Sequence, residues 1–217
     1  MRSVRVEAAQ HNFRNRYPPP CDRGTRANIL GEIYCWAFDS RKSKPVCFLY
    51  DPAGSGKSAI AQSVSERCVA ERRLAASFFF NAQEKKRSTA DFFVPTFAYQ
   101  LAINVPALKH PICNVLIQDE TILSAIIQLQ FQKLIIEPLQ SLSGPDLSLV
   151  VVIDGLNECK KGICIAQLMT TLPDPQSDPR FPLQFLITSR PEPLIKTIFE
   201  HPANNCIPLS PISKILS

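Results

Sequence analysis

The run Val46-Cys47-Phe48-Leu49-Tyr50 is apolar throughout and passes directly into Asp51-Pro52-Ala53-Gly54-Ser55-Gly56-Lys57-Ser58, then into Ala59-Ile60-Ala61-Gln62-Ser63-Val64. A strand that is apolar on both sides has no face for water, so it belongs inside a parallel sheet covered by helices on both faces. The octapeptide matches G-x-x-x-x-G-K-[ST] at every specified position except the first, where Asp51 replaces glycine. A strand, a glycine loop and a helix in that order predict a phosphate-binding loop.

The residue types fit that chemistry. Gly54 and Gly56 let the backbone curl so that successive N–H groups point inward at phosphate oxygens, and the helix beginning near Ser58 and Ala59 adds the partial positive charge of its N-terminus. Lys57 is expected to reach the β- and γ-phosphates as a point charge, and the Ser58 hydroxyl to ligate a bridging magnesium ion. The Asp51 carboxylate adds negative charge near an anion, and its Cβ sits where the turn can require positive φ. Weakened or altered binding is therefore expected.

The 217 residues allow one sizeable core, and no apolar run approaches the roughly 20 residues of a membrane-spanning helix. The N-terminus lacks a secretory signal pattern, so a soluble cytoplasmic protein is expected. Eight cysteines without a C-x-x-C pair, several inside apolar patterns, read as buried thiols rather than a disulfide scaffold. The three histidines stand at no zinc spacing from any cysteine, so a metal site made of protein ligands alone is not expected. The net charge of +5 owes much to Arg2, Arg5, Arg14, Arg16, Arg23 and Arg26, which face only Glu7 and Asp22 over that stretch. With little aromatic interleaving, this segment reads as a solvated basic tail more readily than a nucleic-acid arm.

Tyr17-Pro18-Pro19-Pro20 separates an irregular tail, 1–20, from a domain over 21–210, with a short tail at 211–217. Helices are expected over 27–38, from Ser58 to about Ala70, and over 92–103, 106–119 and 128–142. Strands are expected at 46–50, 75–80, 149–153 and 183–187, with a fifth at 206–209. The alternation predicts an α/β three-layer fold: a mostly parallel five-stranded sheet with helices on both faces.

The strand Leu149-Val150-Val151-Val152-Ile153 ends in Asp154, where a carboxylate emerges at the carboxyl edge of the sheet beside the phosphate loop and can hold magnesium opposite Ser58. Glu158 is the remaining acid able to orient or activate an attacking water.

The combination Val150-Val151-Val152-Ile153-Asp154-Gly155-Leu156-Asn157-Glu158-Cys159, followed by Phe185-Leu186-Ile187-Thr188-Ser189-Arg190-Pro191-Glu192-Pro193, resembles the NACHT domain of fungal STAND-type P-loop NTPases, of the nephrocystin-like N-terminal kind. Gly24-Thr25-Arg26, Ala76 to Phe80 and Phe97-Ala98-Tyr99-Gln100-Leu101 resemble further elements of that family. The resemblance covers roughly 17–209 and implies a three-layer P-loop NTPase fold. It implies Lys57 and Ser58 for phosphate and metal, Asp154 for magnesium, Glu158 for the acidic cluster, Arg190 as a γ-phosphate sensor, and Thr25 and Arg26 near base and ribose.

Two departures bear on turnover: Asn157 stands where the family commonly has a second aspartate, and Asp51 adds a charge at the loop. The resemblance also implies a winged-helix lid and repeats that the sequence does not contain, so the domain is expected to be truncated. The expected function is a switch of an intracellular signalling protein that binds ATP or GTP with magnesium and hydrolyses slowly. Its expected partners are nucleotide, further copies of itself or C-terminal regulatory domains, with no membrane or nucleic acid. The alternative is a non-hydrolysing module that serves as an oligomerisation or adaptor scaffold. A small-molecule kinase fits less well, because the stretch from Ala90 to Ser143 contains no arginine for a lid.

Overall fold

A computed structural model describes residues 6–11, 19–22, 24–38, 44–142, 148–170, 172, 181–202, 204 and 206–209. Five strands, β1 (Val46–Tyr50), β2 (Leu74–Phe79), β3 (Leu149–Asp154), β4 (Leu183–Ser189) and β5 (Cys206–Leu209), form one sheet in the order β2-β3-β4-β1-β5. Every pairing is parallel, so the expectation of a mostly parallel sheet is met in full.

Alternation along the strands divides the core in two. Cys47, Leu49, Val150, Val152 and Leu186 face α1 (Ala27–Phe38) and α2 (Lys57–Ala70), through Ile29, Ile33, Trp36, Ile60 and Val64. Val46, Phe48, Val151, Ile153, Phe185 and Ile187 face the opposite layer. That layer contains α3 (Phe93–Asn104), α4 (Pro106–Gln118), α5 (Ile127–Phe131), α6 (Glu137–Gln140), α7 (Gly162–Thr170) and α8 (Pro193–Glu200). The result is the expected three-layer α/β architecture, compatible with a P-loop NTPase. Burying a side chain such as Phe97 or Phe185 contributes about 2–3 kcal/mol, and both are essentially inaccessible.

Local chemistry accounts for some of the element ends. Thr89 accepts from the Asp91 N–H and opens the turn leading into α3, where Pro95 falls in the tolerant first turn. The helix expected over 128–142 is interrupted by a π turn, Gln132–Ile136. Pro138 follows it, and its ring would collide with the Leu134 carbonyl in a regular helix. Helices α7 and α8 were not anticipated.

β2 is an edge strand, and side-chain amides cover it. Gln100 Oε1 accepts from the Ser77 N–H while its Nε2 donates to the Ser77 carbonyl, at 3.0 and 2.8 Å. Asn104 Nδ2 donates to the Ala75 carbonyl. These bonds occupy groups that would otherwise pair with another strand.

Part of the expected N-terminal tail is docked here as well. Val6 and Ala9 enter the core, the Val6 N–H donates to Thr96 Oγ1, and the His11 N–H donates to Ser77 Oγ. Arg2, Arg5, Arg14, Arg16 and Arg23 lie outside the described residues, as do residues 211–217. Among the described residues, no helix is long and apolar enough to cross a membrane. All eight cysteines are free, and Cys47, Cys68, Cys159 and Cys206 are buried.

Candidate nucleotide site

The carboxyl ends of β1, β2, β3 and β4 meet around an open cleft of about 490 Å³. In parallel sheets this edge is where helix N-termini and strand-end loops converge on a ligand. Ala53, Gly54, Gly56, Lys57, Ser58 and Ala59 line one side of the cleft, and Asp154, Gly155, Asn157, Glu158, Thr188 and Arg190 line another. β4 lies between β1 and β3, so its end separates the glycine loop from the acidic strand end.

Gly54 and Gly56 both have positive φ, 79° and 86°, and Gly56 caps α2. Asp51 is absent from the non-glycine residues with positive φ, which among the described residues are Arg26 and Arg72. This corrects the sequence expectation: aspartate at position 51 causes no left-handed strain. Its effect is electrostatic. Asp51 is buried, and its charge acts on Lys57.

Lys57 folds back on its own loop. Its Nζ donates to the carbonyls of Asp51 and Pro52, each at 2.7 Å, and to Ser55 Oγ at 3.1 Å. Burial pushes its pKa down, while the charges of Asp51 and Asp154 pull it up. The ammonium therefore has three acceptors, none of them a carboxylate oxygen, which an incoming anion can replace by supplying stronger charge-assisted bonds. Asp51, Pro52 and Ser55 hold Lys57 in this way, although they are not among the residues lining the cleft.

Asp154 is almost completely buried. Its Oδ1 accepts from Thr188 Oγ1 at 2.6 Å, and the Ser58 hydroxyl also hydrogen-bonds its carboxyl group. Burial raises its pKa. The bonds from Thr188 and Ser58 oppose that rise, the neighbouring charge of Glu158 adds to it, and Lys57 opposes it. A buried carboxylate beside a serine hydroxyl, both hard oxygen donors at the loop, fits magnesium held jointly with phosphate oxygens. Among the described residues no three His, Cys, Asp or Glu side chains gather into a cluster that could hold a metal without such a ligand.

Thr188 was missed as a site residue. It accepts from the Gly155 N–H at 3.1 Å while donating to Asp154, and so joins the ends of β3 and β4. The available signal was a polar residue closing an apolar strand next to an acidic one. Glu158 accepts from the Ala82 N–H at 3.0 Å, which ties it to the loop after β2. Phe79, Phe80, Asn81, Gln83 and Arg87 bring that loop into the cleft, and sequence reasoning did not place it there.

The remaining candidates separate. The Arg190 side chain is exposed at the cleft, and its backbone N–H donates to Asn157 Oδ1. The Arg26 guanidinium lies against the glycine loop, where a Cβ built on Gly56 would stand 2.9 Å from Nη2. Its Nη1 is buried without a hydrogen-bond partner. Thr25 is exposed, and both its N–H and its hydroxyl bond the Asp22 carbonyl in a local turn. The structure thus brings Arg26 against the glycine loop, but neither Arg26 nor Thr25 lines the cleft.

No curated protein matches the chain. The family model described as nephrocystin 3, N-terminal, matches residues 24–190, from the turn that carries Arg26 to the arginine that closes the cleft. That match spans more than half of the sequence, and the chain belongs to the nephrocystin 3 N-terminal family.

Proposed function

We propose that this chain binds a nucleoside triphosphate, ATP or GTP, with magnesium, and acts as a NACHT-type switch of the fungal STAND kind in an intracellular, cytoplasmic signalling protein. The observation that carries the reading is the convergence of Lys57 and the α2 N-terminus with the Ser58–Asp154 pair and Glu158 around one cleft. Loop amides and Lys57 would bind the β- and γ-phosphates. Ser58 and Asp154 would hold magnesium, which when bound supplies positive charge between the phosphate oxygens. Arg26, whose guanidinium lies against Gly56, would contact the nucleotide on that side of the loop.

Hydrolysis in this site is an in-line displacement. The water oxygen forms a bond to the terminal phosphorus, and the bond from that phosphorus to the bridging oxygen breaks. The leaving diphosphate keeps the electron pair, and Glu158 accepts the water proton. Glu158 already accepts from the Ala82 N–H and Asp51 opposes anion binding electrostatically, so turnover is slow. Triphosphate and diphosphate states would then favour different assemblies, which is how slow hydrolysis serves a switch.

The test is magnesium-dependent binding of labelled ATP, GTP and ADP to the wild type and to Lys57→Ala and Asp51→Gly. Binding by the wild type, its loss in Lys57→Ala and a several-fold gain in Asp51→Gly support the reading. No binding by a demonstrably folded wild type overturns it in favour of a non-hydrolysing oligomerisation scaffold.

A further inference from the structure

Arg87 stands in the loop that follows β2, lines the same cleft as Lys57 and Glu158, and has a side chain only 11% exposed. Its Nε donates to the Phe79 carbonyl at the end of β2, and its Nη1 donates to Glu84 Oε1, both at 2.8 Å. For its third nitrogen, Nη2, no hydrogen bond is made among the described residues. A guanidinium fixed at two corners is already oriented, so a third partner would cost little further ordering.

The loop is also braced against the acidic side of the cleft. The Asn81 N–H donates to the Arg87 carbonyl, the Lys160 N–H to the Ser88 carbonyl and the Ala82 N–H to Glu158. β2 neighbours β3 in the sheet, and the Phe80 N–H donates to the Asp154 carbonyl. Arg87 is therefore anchored at the free edge of β2, whose end pairs with Asp154 on β3. Lys57 serves the cleft from β1, and Arg190 is exposed. Arg87 is the cation fixed on the side where Glu158 stands.

We propose that Arg87 is a further catalytic cation of this site, donating through Nη2 to the terminal phosphoryl group of a bound nucleoside triphosphate. As the bond to the bridging oxygen breaks, negative charge spreads over the terminal phosphoryl and bridging oxygens. A pre-oriented guanidinium stabilises that charge more than it stabilises the ground state. Arg87 thereby discriminates triphosphate from diphosphate.

This inference rests on the nucleotide reading, so ADP binding by the wild-type chain is measured first. Affinities for ADP and for a non-hydrolysable ATP analogue, and single-turnover hydrolysis, are then compared for wild type, Arg87→Ala and Arg87→Lys. Expected in Arg87→Ala are an unchanged ADP affinity, a triphosphate-to-diphosphate affinity ratio lowered about tenfold, and hydrolysis slowed at least a hundredfold. Arg87→Lys keeps the charge, loses the fork and stays slow, while added guanidinium ion partly restores Arg87→Ala.

A role confined to bracing the loop would lower melting temperature and both affinities in parallel, without guanidinium rescue, and that result overturns the proposal. If the wild type binds without measurable turnover, the affinity ratio alone decides: an unchanged ratio in Arg87→Ala overturns the role of Arg87 and leaves nucleotide binding intact. Absence of ADP and ATP binding by the folded wild type overturns both.

Discussion

The side-chain carbonyl of Asn157 accepts a hydrogen bond of 2.8 Å from the backbone N–H of Arg190, which joins the turn after β3 to the end of β4. Ser189 Oγ lies 3.5 Å from the same oxygen, at the limit of hydrogen bonding, so the Arg190 amide is the main donor. An aspartate would keep this acceptor, whereas alanine would remove it. Asn157→Asp is expected to retain wild-type stability, and Asn157→Ala to lose about 1 kcal/mol. Urea unfolding measures the loss, and faster hydrogen exchange at the Arg190 amide in Asn157→Ala locates it.

Asp154 sets a pH dependence. Its pKa is raised by burial, so over the interval above the ordinary carboxylate range the folded chain holds a proton that the unfolded chain has released. Stability from this group is complete below the ordinary carboxylate pKa and falls as pH rises through the raised value. Melting temperature of the nucleotide-free wild type is expected to fall with pH across that interval more steeply than that of Asp154→Asn. Magnesium with nucleotide needs the ionised carboxylate, so its stabilising effect should grow with pH in the wild type only.

Much of this architecture was legible because parallel strands leave an unbroken apolar signal. The strand at 46–50 and the acidic end of β3 could be read directly, and the glycines of the loop fixed what lay between strand and helix. Contacts made across the sheet edge were less visible. Thr188 matters because β4 is inserted between β1 and β3, a fact of strand order. Arg87 reads as a loop charge until the β2 end places it in the cleft. Helix α7 begins at Gly162, a poor helix former, and α8 at Pro193; with 9 and 8 residues each is too short for a clear helical period. The strain inferred at Asp51 came from transferring a glycine's conformation to a position that does not adopt it.

The amide of Gln100 substitutes for a missing neighbour of β2, satisfying both the N–H and the carbonyl of Ser77. Gln100→Ala would leave two buried backbone groups unpaired, at a cost of roughly 2–4 kcal/mol. Gln100→Glu keeps the acceptor and loses the donor, so an intermediate loss is expected. Equilibrium urea unfolding ranks the three proteins. Equal stability of wild type and Gln100→Ala would show that the edge is satisfied in another way.

The thiols divide by burial. Burial pushes Cys68 and Cys206 up to about 12 and Cys159 up to about 11, and it raises Cys47 well above its ordinary value. Because the thiolate is the reactive form, these four should resist a thiol reagent in the native protein at neutral pH. Cys35 is exposed, and Cys21, Cys113 and Cys164 are half-buried. Rapid labelling of Cys35, slower labelling of that second group, and release of the other four on adding urea are the expected sequence, read by peptide mass.

Gly56 and Arg26 should couple energetically. Alanine at position 56 would meet φ of 86° and place a Cβ 2.9 Å from Arg26 Nη2, so Gly56→Ala is expected to lose about 1–3 kcal/mol. Arg26→Ala removes a guanidinium whose Nη1 is buried without a partner, so little stability should be lost in the nucleotide-free protein. The double variant relieves the steric contact while the backbone strain remains. A coupling of at least about 0.5 kcal/mol in the rescuing direction is expected from urea unfolding of the four proteins. Strict additivity would mean that the arginine swings away freely and that backbone strain accounts for the whole loss. In nucleotide-binding measurements Arg26→Ala should weaken affinity although it spares the fold.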